Sequence, residues 1–113
     1  MTVDKNDFGC IQIEHLNADN YYIWSNDIEV FLRGKRLWKY AEGSISTPTE
    51  SAELAQFERE GDMCLAYLLM TIEQSCKFAV IRMRSPSDVW KTLHATYQTV
   101  SESLIDAKLT QLQ

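Results

Sequence analysis

The feature that most constrains the fold is the concentration of aromatic side chains in residues 16–40, which hold two of the three tryptophans and three of the five tyrosines. Large apolar residues recur there at intervals of three and four, the period of a helix with one buried face. They are Tyr21, Trp24, Ile28 and Phe31, with Leu32 beside them. We therefore predict a helix over residues 19–33 whose aromatic face is central to the core.

Both ends of this helix carry local signals. Asn17, Asp19 or Asn20 can accept hydrogen bonds from the first free backbone N–H groups. Gly34 predicts a left-handed stop. A second aromatic cluster follows and ends at Gly43. Its members are Leu37, Trp38 and Tyr40.

Size and charge limit the classes of function. The chain has 113 residues, of which 45% are hydrophobic, so it can build the core of one compact domain rather than remain disordered. Its formal net charge is −5. Binding to a phosphate backbone relies on Lys and Arg, so the acidic balance disfavours direct nucleic-acid binding by this segment.

The cysteines and the apolar runs indicate the compartment. Cys10, Cys64 and Cys76 are odd in number and fit neither a disulfide framework nor a common zinc spacing. Buried, reduced thiols are the favoured interpretation. The first residues lack the apolar run of a signal peptide, and no stretch approaches the ~20 apolar residues of a membrane span. We predict a cytoplasmic protein, with the nucleus as the alternative, and no membrane partner.

The chain divides into a loosely ordered N-terminal segment, residues 1–15, and a helical domain, residues 16–113. Thr47 followed by Pro48 and Glu50 predicts the start of a second long helix, which runs to about residue 73. Gly61 interrupts its apolar rhythm and indicates a bend, a break or a close backbone contact. Residues 77–83 fit a short helix or a turn.

The clearest local signal is Ser-Pro-Ser-Asp at residues 85–88, typical of a helix start. The helix that follows places Val89, Trp90, Leu93 and Tyr97 on one face. Val100 and Ser101 suggest a break before a last helix that is still periodic at Gln113, so we expect the chain to be excised from a longer one. The fold class is all-α, a compact bundle of about five helices.

No catalytic pattern is present. The sequence lacks a Gly-rich phosphate loop, a nucleophile elbow and a His-Glu-x-x-His pattern. His15 and His94 are far apart in sequence. Glu58 and Asp62 lie one helical turn apart, where a solvated acidic face is the favoured alternative to a paired-carboxylate site. We expect no enzymatic activity, no cofactor and no bound metal.

Two further patterns leave alternatives open. The basic cluster of Arg33, Lys35, Arg36 and Lys39 closes the first helix, where cations offset the negative end of the helix dipole. Contact with RNA or an acidic partner is the alternative, and a group at Lys77, Arg82 and Arg84 is weaker. The aromatic residues could stack on bases, but without interleaved positive charge they are favoured as core. The residues in question are Tyr21, Trp24, Trp38 and Trp90.

The order of motifs resembles the N-terminal part of Gag polyproteins of copia-type LTR retrotransposons. Residues 16–24 read Leu-Asn-Ala-Asp-Asn-Tyr-Tyr-Ile-Trp, residues 31–35 read Phe-Leu-Arg-Gly-Lys, and Leu-Trp follows at 37–38. A later motif, Ser-Asp-Val-Trp-Lys-Thr-Leu at residues 87–93, precedes Tyr97 and a leucine-rich helix from Ser101.

The sequence departs from the family in two places. Where the family often has a tryptophan ahead of an Asp-x-x-Ala pattern, the nearest equivalents are Phe57, Asp62 and Ala66, so the resemblance is weaker in the second helix. No zinc knuckle of the Cys-x-x-Cys type is present, and nothing matches the protease, integrase and polymerase parts of such elements.

The resemblance implies a fold like the N-terminal lobe of a capsid, whose function is self-association. The expected partner is the chain itself, with dimerisation through the C-terminal helix as the simplest form, in a virus-like particle. RNA would be met only through regions outside this chain. A domesticated host adaptor that binds a protein or peptide is the alternative.

Two surfaces are candidates for these contacts. Outward positions of the first helix are Asp27, Glu29, Val30 and Arg33. The favoured surface is the apolar face of the last helix, because a terminal helix has fewer neighbours to cover it. Its residues are Leu104, Ile105, Lys108 and Leu112.

Overall fold

The structure is a computed structural model that describes residues 13–111, with side chains for residues 13–98. Its elements are α1 (Tyr21–Gly34), α2 (Trp38–Glu42), α3 (Ser51–Met70), a 3₁₀ turn (Gln74–Cys76) and α4 (Pro86–Gln111). Extended pairing within the described residues is limited to one parallel bridge between Leu16 and Ile72. The predicted all-α bundle of about five helices is confirmed.

Helix α1 buries the face that the sequence predicts. Its buried residues are Tyr21, Trp24, Ile28, Phe31 and Leu32. The predicted capping is wrong, since no side chain caps the first turn. Asn20 Oδ1 instead accepts from the Asn17 N–H at 2.8 Å, and Asn17 Oδ1 accepts from the Asp19 N–H at 2.8 Å. These oxygens stabilise the turn before the helix, so they are not available to it.

The left-handed residue that follows α1 lies two residues beyond the predicted one. Gly34 is still helical, and Arg36 takes the left-handed conformation with φ of 61°. The Leu37 N–H donates to the Leu32 carbonyl at 2.8 Å, and the Arg36 N–H donates to the Arg33 carbonyl at 3.1 Å. These bonds form a Schellman motif in which two buried leucines meet. The prediction for Gly34 was wrong because burial of Leu37 fixes where the chain turns.

Helix α2 ends at Gly43, as predicted. Gly43 has φ of +83°, and its N–H donates to the Lys39 carbonyl at 3.0 Å. A Cβ at this glycine would lie 3.3 Å from Ser87 Cβ, so the end of α2 abuts the start of α4.

Helix α3 differs from prediction at its start and at Gly61. The helix begins at Ser51, and the residue before it, Glu50, has an extended backbone. The predicted start at Thr47 and Pro48 is wrong, because Ile45 packs on the core and residues 44–50 are not helical. The helix is continuous through Gly61, whose Cβ, if present, would lie 3.7 Å from Tyr40 Cδ1. A cost of about 1 kcal/mol does not break a helix with long flanks of good helix formers.

Helix α4 begins at Pro86, as predicted, and packs against α1, α2 and α3. Val89 and Leu93 are buried, with Trp90 and Tyr97 half-buried beside them. The predicted break at residues 100–101 is wrong, since the backbone is helical through Gln111. No glycine or proline follows Pro86, and valine and serine cost too little to interrupt a helix.

The described N-terminal residues are held against the end of α3. The Leu16 N–H donates to the Thr71 carbonyl at 2.8 Å, and the Glu73 N–H donates to the Leu16 carbonyl at 3.0 Å. Most of the segment predicted to be loosely ordered lies outside the described residues. Within the described part, no helix combines the length and apolar character needed to cross a membrane.

Candidate functional site

The tryptophans are packed on one another inside the bundle. Trp24 is 1% exposed, and its Nε1 donates to Thr71 Oγ1 at 3.2 Å. The Trp90 ring stacks on Trp24 at a centroid distance of 6.0 Å, and Trp38 meets Trp90 edge-on at 4.9 Å. Aromatic pairs in these geometries add to the energy of apolar burial. Trp24 therefore has no free face for a base, and the half-buried Trp38 and Trp90 are each engaged by another tryptophan.

The tyrosines of α1 and α4 extend the same cluster. Tyr21 stacks on Tyr97 at a centroid distance of 6.0 Å, and its hydroxyl lies 3.1 Å from His94 Nδ1. Burial raises the pKa of both tyrosines to about 12. Of the predicted aromatic and aliphatic set, five residues are buried and three are half-buried at the edge of the core. The buried ones are Tyr21, Trp24, Ile28, Phe31 and Leu93, and the others are Trp38, Trp90 and Tyr97.

The basic cluster at the end of α1 lies over aromatic rings. The Arg33 guanidinium is 5.4 Å from the Trp38 ring centroid, and its Nε donates to Glu29 Oε2 at 2.8 Å. The ammonium groups of Lys35 and Lys39 lie 5.8 and 5.7 Å from the ring centroids of Phe31 and Tyr40. Such cation–π contacts give the cations a structural role.

Tyr40 ties α2 to α3 through a carboxylate. Its hydroxyl donates to Glu60 Oε2 at 2.7 Å, and Gln56 Nε2 donates to the other oxygen at 3.1 Å. The bond from Tyr40 is the main cause of a lowered pKa at Glu60. Burial, followed by Glu60, raises the pKa of Tyr40 to about 12.

The candidate nucleophiles and ligands do not converge. Cys64 and Cys76 are buried free thiols, and burial raises the pKa of Cys64 to about 12. Glu58 and Asp62 are exposed on α3. Among the described residues, no three His, Cys, Asp or Glu side chains are grouped to hold a metal ion.

Most of the large apolar side chains that are exposed within residues 13–98 lie in two groups. On the outer face of α1, Tyr22, Ile23 and Val30 are each more than half exposed. On the turn between α3 and α4, Phe78 is 78% exposed and Ile81 is 50% exposed. Sequence reasoning missed Phe78, because an aromatic residue in an apolar run predicts burial. The nearby cations in the sequence, Lys77, Arg82 and Arg84, were the feature that could have indicated its exposure.

The predicted C-terminal surface is only partly described. Leu104, Ile105 and Lys108 lie on the helical backbone of α4, and their side chains lie outside the described residues. Leu112 is also outside them. On α1, Val30 and Arg33 are exposed, whereas Asp27 and Glu29 are half-buried.

Comparison with known proteins relates the chain to mobile elements. Residues 9–49 match the family described as Gag-polypeptide of LTR copia-type. The chain is similar to the retrovirus-related Pol polyprotein from transposon RE1 of Arabidopsis thaliana, with 24% identity over 111 residues. The match covers 89% of this chain but spans only 8% of that polyprotein. No solved structure matches the chain significantly.

The family match contains the aromatic segment of residues 16–40, which carries the first of the two motifs from which the resemblance was inferred, whereas the later motif at residues 87–93 lies outside the matched residues. The structure explains that segment as the packing centre of an all-helical domain. These findings support a structural, Gag-type role in general. The resemblance of this chain to the Gag polyproteins of copia-type LTR retrotransposons is confirmed.

Proposed function

We propose that the chain is a self-associating structural lobe of a Gag-like protein and forms homotypic contacts in a cytoplasmic particle that packages RNA. The observation that carries this proposal is the family match over residues 9–49. The burial of the aromatic cluster supports it, because these rings serve the fold. Apolar side chains that remain exposed at two places are available for contacts between copies.

The apolar positions of the last part of α4 are the proposed contact. Leu104, Ile105 and Lys108 recur at the spacing of one helix face, and Leu112 follows in the sequence at the same interval. The backbone of residues 104–108 belongs to the same helix as the core residues Val89 and Leu93, which supports the proposal. A symmetric pairing of two such helices would bury it.

RNA is proposed to meet the particle through regions outside this chain. The net charge is −5, and three cations of the basic cluster at the end of α1 lie over aromatic rings. Neutralising phosphates requires free cations, so binding by this chain should be weak. Tight binding of a single-stranded RNA, with a steep loss of affinity as salt rises, would contradict this part of the proposal.

Sedimentation velocity tests the proposed contact. We expect the wild-type chain to associate as its concentration rises, and the double variant Leu104→Asp/Leu112→Asp to remain monomeric. The matched control is the double variant Ala95→Asp/Thr96→Asp, which adds the same two charges at exposed positions of α4 and should associate like wild type. Unchanged association of the double variant would contradict the C-terminal contact. A monomeric wild type that binds a specific heterologous protein would favour a host adaptor.

A further inference from the structure

The turn between α3 and α4 holds exposed apolar and basic side chains on a fixed backbone. Val80 is fully buried, and its N–H donates to the Lys77 carbonyl at 2.9 Å. Arg84 Nη1 donates to the carbonyls of Ile81 at 3.2 Å and Met83 at 2.9 Å. We call Lys77, Phe78, Ile81 and Arg82 the knob. Because its backbone is already ordered, binding through the knob costs little further conformational entropy.

A cleft of about 470 Å³ lies beside the knob. Its apolar lining includes Tyr40, Ile45 and Phe57, and its acidic lining consists of Glu58 and Asp62. Neither carboxylate forms an ion pair with another described residue. Like charges one helical turn apart repel each other. Arg84 is the one cation among the lining residues, and its Nη1 is directed to the carbonyls of Ile81 and Met83 rather than to either carboxylate. The cleft thus combines apolar surface with two carboxylates whose repulsion a second cation would relieve.

We infer that the occupant of this cleft is the knob of a second copy of the chain. This inference rests on the proposed self-association and assigns it a second contact surface. The aromatic and aliphatic side chains of the knob match the apolar lining. The cations Lys77 and Arg82 match Glu58 and Asp62 in charge. Opposite potentials of this kind specify partner and register.

The positions of knob and cleft favour a reciprocal contact. Arg84 borders both the turn and the cleft, so the two surfaces are adjacent on each copy. A two-fold axis beside Arg84 would place each knob against the other copy's cleft, which is an isologous interface. Each dimer then contains the complementary contact twice.

The variant Phe78→Asp tests the apolar part of the contact. Phe78 is 78% exposed, so the substitution leaves the core intact. We expect the dissociation constant for self-association, measured by sedimentation velocity, to rise at least about tenfold. The matched control is Ala52→Asp, which adds the same charge at an exposed position of α3 outside the knob and the cleft and should leave the constant unchanged. Equal effects of the two variants, or none from Phe78→Asp, would overturn the inference.

A charge exchange tests the pairing itself. Arg82→Glu gives the knob the sign of the cleft, and Asp62→Lys gives the cleft the sign of the knob, so each variant alone should lose the contact. In an equimolar mixture, the acidic knob of the first variant faces the basic cleft of the second, while the unaltered knob of the second faces the unaltered cleft of the first. We expect a heterodimer that binds at least about tenfold more tightly than either variant binds itself. A mixture no more associated than its components would overturn the inference.

These outcomes separate the inference from the proposed function. If wild type and all knob and cleft variants associate equally, self-association stands and the knob–cleft contact is overturned. If the wild type itself is monomeric at every concentration, both are overturned.

Discussion

At the scale of single residues, the Thr71 hydroxyl joins α1 to the end of α3. Its Oγ1 donates to the Tyr67 carbonyl at 2.8 Å and accepts from Trp24 Nε1 at 3.2 Å. Thr71 is 3% exposed, so no water replaces these bonds. Without the hydroxyl, the buried indole N–H of Trp24 would have no acceptor, and the free energy of unfolding would fall.

Thr71→Val therefore destabilises the fold although it keeps the shape of the side chain. We expect the free energy of unfolding in urea to fall by about 1–3 kcal/mol. Thr96→Val is the control, because Thr96 is exposed and bonds only to the Thr92 carbonyl within its own helix. It should change stability by less than about 0.5 kcal/mol. Equal losses from the two substitutions would show that the Trp24 bond contributes nothing.

Buried phenols and a buried thiol make stability sensitive to alkali. The pKa values of Tyr21, Tyr40 and Tyr97 rise from 10.0 to about 12, and that of Cys64 rises from 9.0 to about 12. Above these ordinary values the unfolded chain loses protons that the folded chain retains, so stability falls as pH rises toward 12.

Urea titrations at increasing pH measure this dependence. We expect the free energy of unfolding to decline once the pH passes 9.0, and more steeply once it passes 10.0. Tyr40→Phe removes one titrating group and should make the slope above pH 10.0 shallower. A free energy of unfolding that stays constant over this range would contradict the burial of these groups.

At the scale of elements, the end of α1 is a place where the structure differs from the sequence-based expectation. Gly34 is helical, and a Cβ there would meet nothing within 4 Å. Arg36 holds the left-handed conformation, which costs a residue with a Cβ about 1–2 kcal/mol. Gly34→Ala should therefore stabilise the chain by up to about 1 kcal/mol.

Arg36→Gly should also stabilise the chain, by about 1 kcal/mol, because glycine adopts positive φ without strain. Gly43→Ala is the contrasting control, since Gly43 has φ of +83° and should lose stability on substitution. Thermal or urea unfolding of the three variants measures these effects. A Gly34→Ala variant that is less stable than wild type would place the left-handed residue at Gly34 instead.

The element scale also shows what sequence can predict. The period of three and four identified the buried faces of α1 and α4, because the spacing of apolar residues determines which face of a helix they share. Helix ends depend on competition between bonds. The side-chain oxygen of Asn20 accepts from the preceding turn rather than from α1, and the packing of Ile45 delays the start of α3. These outcomes are set by tertiary contacts that local motifs do not contain.

At the scale of the whole molecule, the surface was harder to predict than the core. The sequence identified the aromatic segment and the family resemblance correctly. In the turn between α3 and α4, Val80 is the fully buried side chain, and Phe78 is therefore exposed. Adjacency of the turn and the cleft likewise depends on how α3 and α4 pack. Neither the exposure of Phe78 nor the adjacency of turn and cleft can be predicted from the spacing of residues along the chain.

The central claim is that this domain works by binding copies of itself. Sedimentation velocity of the wild-type chain over a wide range of concentration tests it most directly. Buried aromatic residues together with exposed apolar side chains predict a weight-average sedimentation coefficient that rises with concentration toward dimers or larger assemblies. A single monomeric species whose sedimentation coefficient does not rise at any concentration would contradict the claim.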